Sequence, residues 1–223
     1  MEALSPAVGL LLFSLDLGTD TADAASLALR SGGIAVVNGS LQVGRRRLAA
    51  VHELGHHLFA DEYTVDWTIA ANGDAGPWEA RLDRFARAVL LPPDSTRHAW
   101  TDLVAASDDE RTAAVRMASE FRVDMSTLSR RLDELGAVSS GTAQTIRQVR
   151  TTRADILEYN LITREELAPP TLPQPYAKAV LDCYRADVIS AARAVDLLLG
   201  TLAEDDLPER PPLKPGAIWD LVS

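Results

Sequence analysis

The sequence predicts a mostly helical α+β protein. A small β-sheet packs on one central helix, followed by a helix-turn-helix-like module and a helical C-terminal region. Three observations predict it. Apolar residues recur at helical spacing in four stretches, Leu48–Phe59, Glu79–Leu90, Arg111–Leu135 and Tyr176–Leu202. One run of strand-forming residues, Ile34-Ala35-Val36-Val37-Asn38, is fenced by Gly32-Gly33 and Gly39-Ser40. Turn and breaker residues such as Gly76-Pro77 and Pro92-Pro93 fall between the periodic stretches. These boundaries divide the 223 residues into a core of 1–105, a module of 106–140 and a C-terminal region of 141–223.

In chain order, residues 1–31 are expected to form one or two helical segments. Thr21–Leu29 is rich in alanine, has Asp23 near its start and is stopped by Gly32-Gly33. Ile34–Asn38 is read as a strand, either purely structural or an edge on which an extended peptide pairs. Arg45-Arg46-Arg47 leads into the first long helix and opposes its dipole, so these charges are expected to pair with acidic residues or to meet a substrate. A second helix opens at Pro77, where proline suits a first turn, and stops at Leu91-Pro92-Pro93. Arg111–Phe121, the turn Arg122-Val123-Asp124 and Met125–Leu135 form a helix-turn-helix pattern whose surface carries Arg111, Arg116, Arg122, Arg130 and Arg131. Residues 139–175 read as a mobile connection with a modest helical stretch. Tyr176–Leu202 reads as two helices broken near Asp187-Val188, and Glu204–Pro215 as an extended acidic tail. Ile218-Trp219 and Leu221-Val222 could dock on the body or on a partner.

Composition narrows the function classes. A net charge of −10 argues against a chain-wide nucleic-acid footprint and leaves only a local basic face for direct DNA binding. A single cysteine, Cys183, excludes an intramolecular disulfide, favours a reducing, cytoplasmic compartment and is expected to pack in a core. Val8–Leu15 is too short to span a bilayer and, with Glu2 before it and Asp16 after it, makes a poor signal peptide, so no membrane partner is expected.

The chemistry concentrates in His52-Glu53-Leu54-Gly55-His56. Residues four apart share a helix face, so His52 and His56 can aim two imidazoles at one point. Glu53 lies about 100° round the axis, placed to act as a general base on a water. Leu48, Val51, Leu54, Leu58 and Phe59 give the helix an apolar face to bury. Glu79, on the second helix, is the candidate third ligand, which would make a His2Glu set with one open position. Asp83, one turn later, is placed to hold the outer nitrogen of a ligand histidine. Zinc is the expected metal, with manganese or iron also compatible with imidazole and carboxylate ligands. The plainer reading leaves Glu79 and Asp83 as solvated charges beside Arg81, Arg84 and Arg87.

Arg45-Arg46-Arg47-Leu48-Ala49-Ala50-Val51-His52-Glu53-Leu54-Gly55-His56, with Glu79-Ala80-Arg81-Leu82-Asp83-Arg84-Phe85-Ala86 and Leu90-Leu91-Pro92, resembles the ImmA/IrrE family of gluzincin metallo-endopeptidases over about residues 30–140. Three positions depart from the family pattern: Val51 and Leu82 stand where alanine is usual, and Asp83 where asparagine is usual. The resemblance implies zinc on His52, His56 and Glu79, with Glu53 as the catalytic base. It also implies a protein substrate, a helix-turn-helix repressor or antitoxin, in stress response, mobile-element or toxin–antitoxin control. A peptidase needs a further donor to the developing oxyanion; the candidates are His57, Tyr63 and His98. The rival reading is a metal-binding regulator that engages DNA or a repressor without cutting; retention of Glu53 argues against it, since a structural zinc site needs no base.

Overall fold

The computed structural model describes residues 7–59, 76–107, 109–161 and 165–210. Three strands come first: β1 (Leu10–Leu15), β2 (Ala24–Leu29) and β3 (Gly32–Asn38). Nine helices follow among the described residues: α1 (Val43–Phe59), α2 (Pro77–Leu90), α3 (Pro93–Ser107), α4 (Glu110–Phe121), α5 (Met125–Glu134), α6 (Ser140–Gln148), α7 (Arg153–Glu158), α8 (Gln174–Arg185) and α9 (Ala191–Leu197). The fold is thus α+β and mostly helical. The chain divides into two compact units, residues 1–171 and 172–223. No helix among the described residues is long and apolar enough to cross a membrane.

The sheet order is β1-β3-β2, with β1 parallel and β2 antiparallel to β3. One expectation is corrected here, and one choice between two readings is decided. Residues 10–15 and 24–29 are strands, not helices; Leu-Leu-Leu-Phe-Ser-Leu and Ala-Ala-Ser-Leu-Ala-Leu lack the polar–apolar alternation that marks a half-buried strand, and tertiary pairing overrides the helix preference of Ala and Leu. Ile34–Asn38 is the central strand, so its backbone is paired on both sides and the antiparallel edge belongs to β2.

Helix α1 is flanked by two apolar clusters, which explains why most of its length is buried. Ala49, Ala50 and Leu54 join Leu10, Leu12, Ala24, Ala35 and Val37 of the sheet. Val51 joins Ala86, Trp100, Met117, Leu128, Leu132 and Ile146 of the helical layer. Gly44 lets the first turn approach the α4–α5 turn: a Cβ there would press on the Asp124 backbone nitrogen and lie 2.7 Å from the Val123 carbonyl carbon.

The stretch 139–171, expected to be a mobile connection, is built into the first unit. It carries α6 and α7; Ile146 and Leu167 are buried, and Thr171 exchanges two backbone hydrogen bonds of 2.9 Å with Ser14 on β1. Its docking uses the arginine run. Arg46 pairs with Glu165 and donates to the carbonyls of Gly39 and Leu167, both at 3.2 Å. Arg47 pairs with Glu166 at 2.9 Å and donates to the carbonyls of Phe121 and Arg122. Arg45 pairs with Asp23 at 2.6 Å.

In the second unit α8 and α9 bury Val180, Ala194 and Leu198, and the two helices flank Asp187-Val188 as the sequence reading expected. Cys183 is exposed rather than packed, because the inward stripe of α8 runs through Tyr176, Val180 and Tyr184. The tail begins as a short 3-10 turn, Glu204–Asp206, and Arg210 bonds to Asp187 at 2.5 Å over the Tyr184 ring. Ile218-Trp219 and Leu221-Val222 lie outside the described residues.

Candidate metal centre

Two helices supply the site. On α1, His52 and His56 sit one turn apart with ring centroids 5.0 Å from each other, edge to face. Glu79 lies in the first turn of α2, where a carboxylate complements the helix dipole and where Pro77 sets the start. His52 Nε2 is 3.0 Å and His56 Nε2 3.7 Å from Glu79 Oε2, and one ligand atom from each of the three residues falls within a 4.8 Å group. The close approach of α1 and α2 depends on Gly55. A Cβ at that position would stand 3.0 Å from Leu82 Cδ2 and 3.1 Å from Phe85 Cδ1.

Asp83 orients the first histidine: His52 Nδ1 donates to Asp83 Oδ1 at 3.1 Å, which turns Nε2 toward Glu79. Burial works against a charge on His52. The hydrogen bond to Asp83, then the charges of Asp83, Glu53 and Glu79, outweigh it and hold the imidazole pKa above its ordinary value. Burial likewise pushes Asp83 up, and the His52 hydrogen bond with the His52, Arg87 and Arg130 charges brings it below the usual carboxylate range. Glu53 is 2% exposed and His52 4%.

The donor set fits a metal ion. Two imidazole nitrogens and one carboxylate oxygen converge, His52 buried and His56 and Glu79 half-buried, and no fourth His, Cys, Asp or Glu joins the group among the described residues. Three protein ligands with a position left open is the pattern of a catalytic rather than a structural zinc site.

Two of the other candidates, His57 and His98, are engaged by backbone carbonyls. His57 Nε2 donates to the Val8 carbonyl at 2.8 Å, and its Nδ1 fills the space beside Gly33, so the ring is committed to the sheet. His98 is exposed within α3, with Nδ1 donating to the Asp94 carbonyl at 2.8 Å. Tyr63 lies outside the described residues.

The two-helix turn of α4 and α5 has well-formed caps, Asp109 on the Thr112 amide and Asp124 on the Thr127 amide. Its basic face is smaller than the sequence indicated. Arg131 is buried, held by the Leu91 carbonyl and Glu134, not exposed. Arg111 is paired with Asp155 and Arg122 with Glu166. Thr127, Leu128, Ser129 and Leu132 of α5 are buried as well, which leaves Arg130 as the exposed cation of that helix.

Sequence reading missed the partners of Asp83. Arg87 lies 3.8 Å from its Oδ2 and bonds to Glu134 of α5. The Asp83–Arg87 spacing of one helical turn is a visible signal for such a pair; Glu134 has none. The IrrE N-terminal-like domain family, Peptidase M78, matches residues 7–133. No curated protein and no solved structure matches the chain.

Proposed function

The chain belongs to the IrrE N-terminal-like family of M78 peptidases, and from that premise we propose that it is a cytoplasmic zinc-dependent endopeptidase that cuts a regulatory protein, a helix-turn-helix repressor or antitoxin. The observation that carries this reading is the convergence of His52, His56 and Glu79, with the buried Glu53 on the same helix.

His52, His56 and Glu79 would hold the metal. When bound, zinc supplies Lewis acidity: it lowers the pKa of a water and polarises a carbonyl. Glu53 accepts the proton of the attacking water and returns it to the leaving amine nitrogen. Asp83 keeps the proton of His52 on Nδ1, so that Nε2 stays a ligand. An extended substrate would add to the outer edge of β2, the antiparallel edge strand of the sheet. A helix-turn-helix regulator as substrate, with a role in stress response or toxin–antitoxin control, follows from the family resemblance. The burial of α5 favours α4 and α5 as a packing unit over a DNA reader, since a recognition helix needs a free face.

The test is incubation of the zinc-loaded protein with helix-turn-helix regulators encoded beside its gene, read by mass spectrometry. One defined cut, lost in Glu53→Gln, is expected. Tight binding of such a regulator without any cut, equal in wild type and Glu53→Gln, would give the site to a non-proteolytic regulator instead.

A further inference from the structure

A row of side chains runs from the first histidine to a helix that contributes nothing to the ligand set. His52 Nδ1 donates to Asp83 Oδ1 at 3.1 Å. The second oxygen, Asp83 Oδ2, faces Arg87 Nη1 at 3.8 Å, one turn further along α2. Arg87 Nε donates to Glu134 Oε1, at the end of α5, at 2.9 Å, and Nη2 pairs with the same oxygen at 2.8 Å. Glu134 Oε2 pairs with Arg131 Nη1 at 3.3 Å, and Arg131 Nε donates to the Leu91 carbonyl at 3.0 Å. The side chains of His52, Arg87 and Arg131 are 5%, 9% and 7% exposed, so this row is not a solvated surface network.

We propose that Arg87, clamped by Glu134, is a positioning residue: it fixes the Asp83 carboxylate that orients His52, so that α5 sets the zinc affinity of a site it does not ligate. The inference rests on the metal-site reading given above. Its physical basis is the difference in burial between Asp83 and Arg87. Asp83 is 36% exposed, and a carboxylate so placed can rotate toward water. With one oxygen on His52 and the other facing a buried guanidinium, rotation in either direction loses a partner. Glu134 sets the balance. Arg87 makes a hydrogen bond and a 2.8 Å ion pair to Glu134 but only an ion-pair contact at 3.8 Å to Asp83. Without the Glu134 charge, a buried Arg87 would close on Asp83 and draw the carboxylate off His52, because an unpaired buried cation is costly. Arg130, exposed on α5, also acts on Asp83 by its charge but makes no clamp.

The experiment is zinc affinity by competition with a chromophoric chelator, on the full chain, for wild type, Arg87→Met, Arg87→Lys and Glu134→Gln, with Glu79→Ala as reference. Loss of a partner behind a ligand histidine costs on the order of ten- to a hundredfold in metal affinity; the expected loss is about tenfold for Arg87→Met and about threefold for Glu134→Gln, with partial recovery in Arg87→Lys. Long-range proton–nitrogen spectra of the zinc-loaded protein should show the His52 Nδ1–H signal displaced in both neutral variants, a change that lost packing alone would not produce. If Arg87→Met fails to fold, Glu134→Gln, which keeps the side-chain shape, decides. Wild-type zinc affinity and an unmoved His52 signal in the folded variants, with only the melting temperature lowered, would overturn the proposal. A wild type that binds no zinc, or Glu79→Ala that binds it as well as wild type, would instead remove the metal-site reading, and this inference with it.

Discussion

The two ends of α1 carry charge in opposite ways. In its first turns Arg45, Arg46 and Arg47 are each matched by a separate carboxylate, Asp23, Glu165 and Glu166, brought in from different segments. Further on, His52, His56 and Glu79 bring three lone-pair donors to one place. The first arrangement is matched by charge: cation meets anion, and the carbonyls of Gly39, Leu167, Phe121 and Arg122 accept from the Nη1 groups of Arg46 and Arg47. The second is a set of lone-pair donors, with His52 and His56 both facing Glu79 around one point that a metal cation fits. Charge density alone therefore does not mark the candidate site on this helix; convergence of ligand atoms on one point does.

The difference can be broken at either end. At the histidine end, Glu53→Gln should lower peptide hydrolysis by about a hundred- to ten-thousandfold while zinc content stays the same, measured by single-turnover cleavage and elemental analysis. Loss of zinc in that variant would give Glu53 a part in holding the metal. At the arginine end, Arg46→Met should leave zinc content unchanged and lower stability by about 2–3 kcal/mol in urea unfolding, because the Gly39 and Leu167 carbonyls lose their donor. A normal midpoint would mean that the strap formed by residues 165–171 holds without it.

A smaller loss is expected where α1 enters the helical layer. Gly44→Ala should cost about 1–3 kcal/mol, since the new methyl meets backbone rather than a movable side chain. A gain, as helix propensity alone would give, would show that the α4–α5 turn can yield. The smallest effect belongs to an ion pair remote from the site. The hydrogen bond from Arg111, then the Thr152 amide, holds the Asp155 carboxyl far below the usual carboxylate range. A depressed native pKa gives stability that is present above the unfolded value and lost as pH falls through the native one. The melting-temperature gap between wild type and Asp155→Asn should therefore be full above about pH 5 and shrink below about pH 4. A gap that widens in acid would contradict the pairing.

The site was more legible in the sequence than the sheet. His52, Glu53 and His56 share a helix whose spacing fixes their relation, and Glu79 and Asp83 stand on a second helix with an equally clear period, so local geometry carried the reading. The strands β1 and β2 were illegible because Leu10–Leu15 is apolar throughout and Ala24–Leu29 is built from good helix formers. Residues 165–171 looked like linker because their partners, Arg46, Arg47 and Ser14, are more than a hundred residues away. Arg131 looked like surface charge for the same reason: its acceptor is the Leu91 backbone, which no side-chain pattern announces.

The most direct test of the metal centre is the zinc content of the purified protein and of Glu79→Ala, by elemental analysis after dialysis. About one zinc per chain in the wild type, largely lost in the variant, is the expected result. No zinc in the wild type, or an equal amount in both, would contradict the assignment of His52, His56 and Glu79 as a metal site.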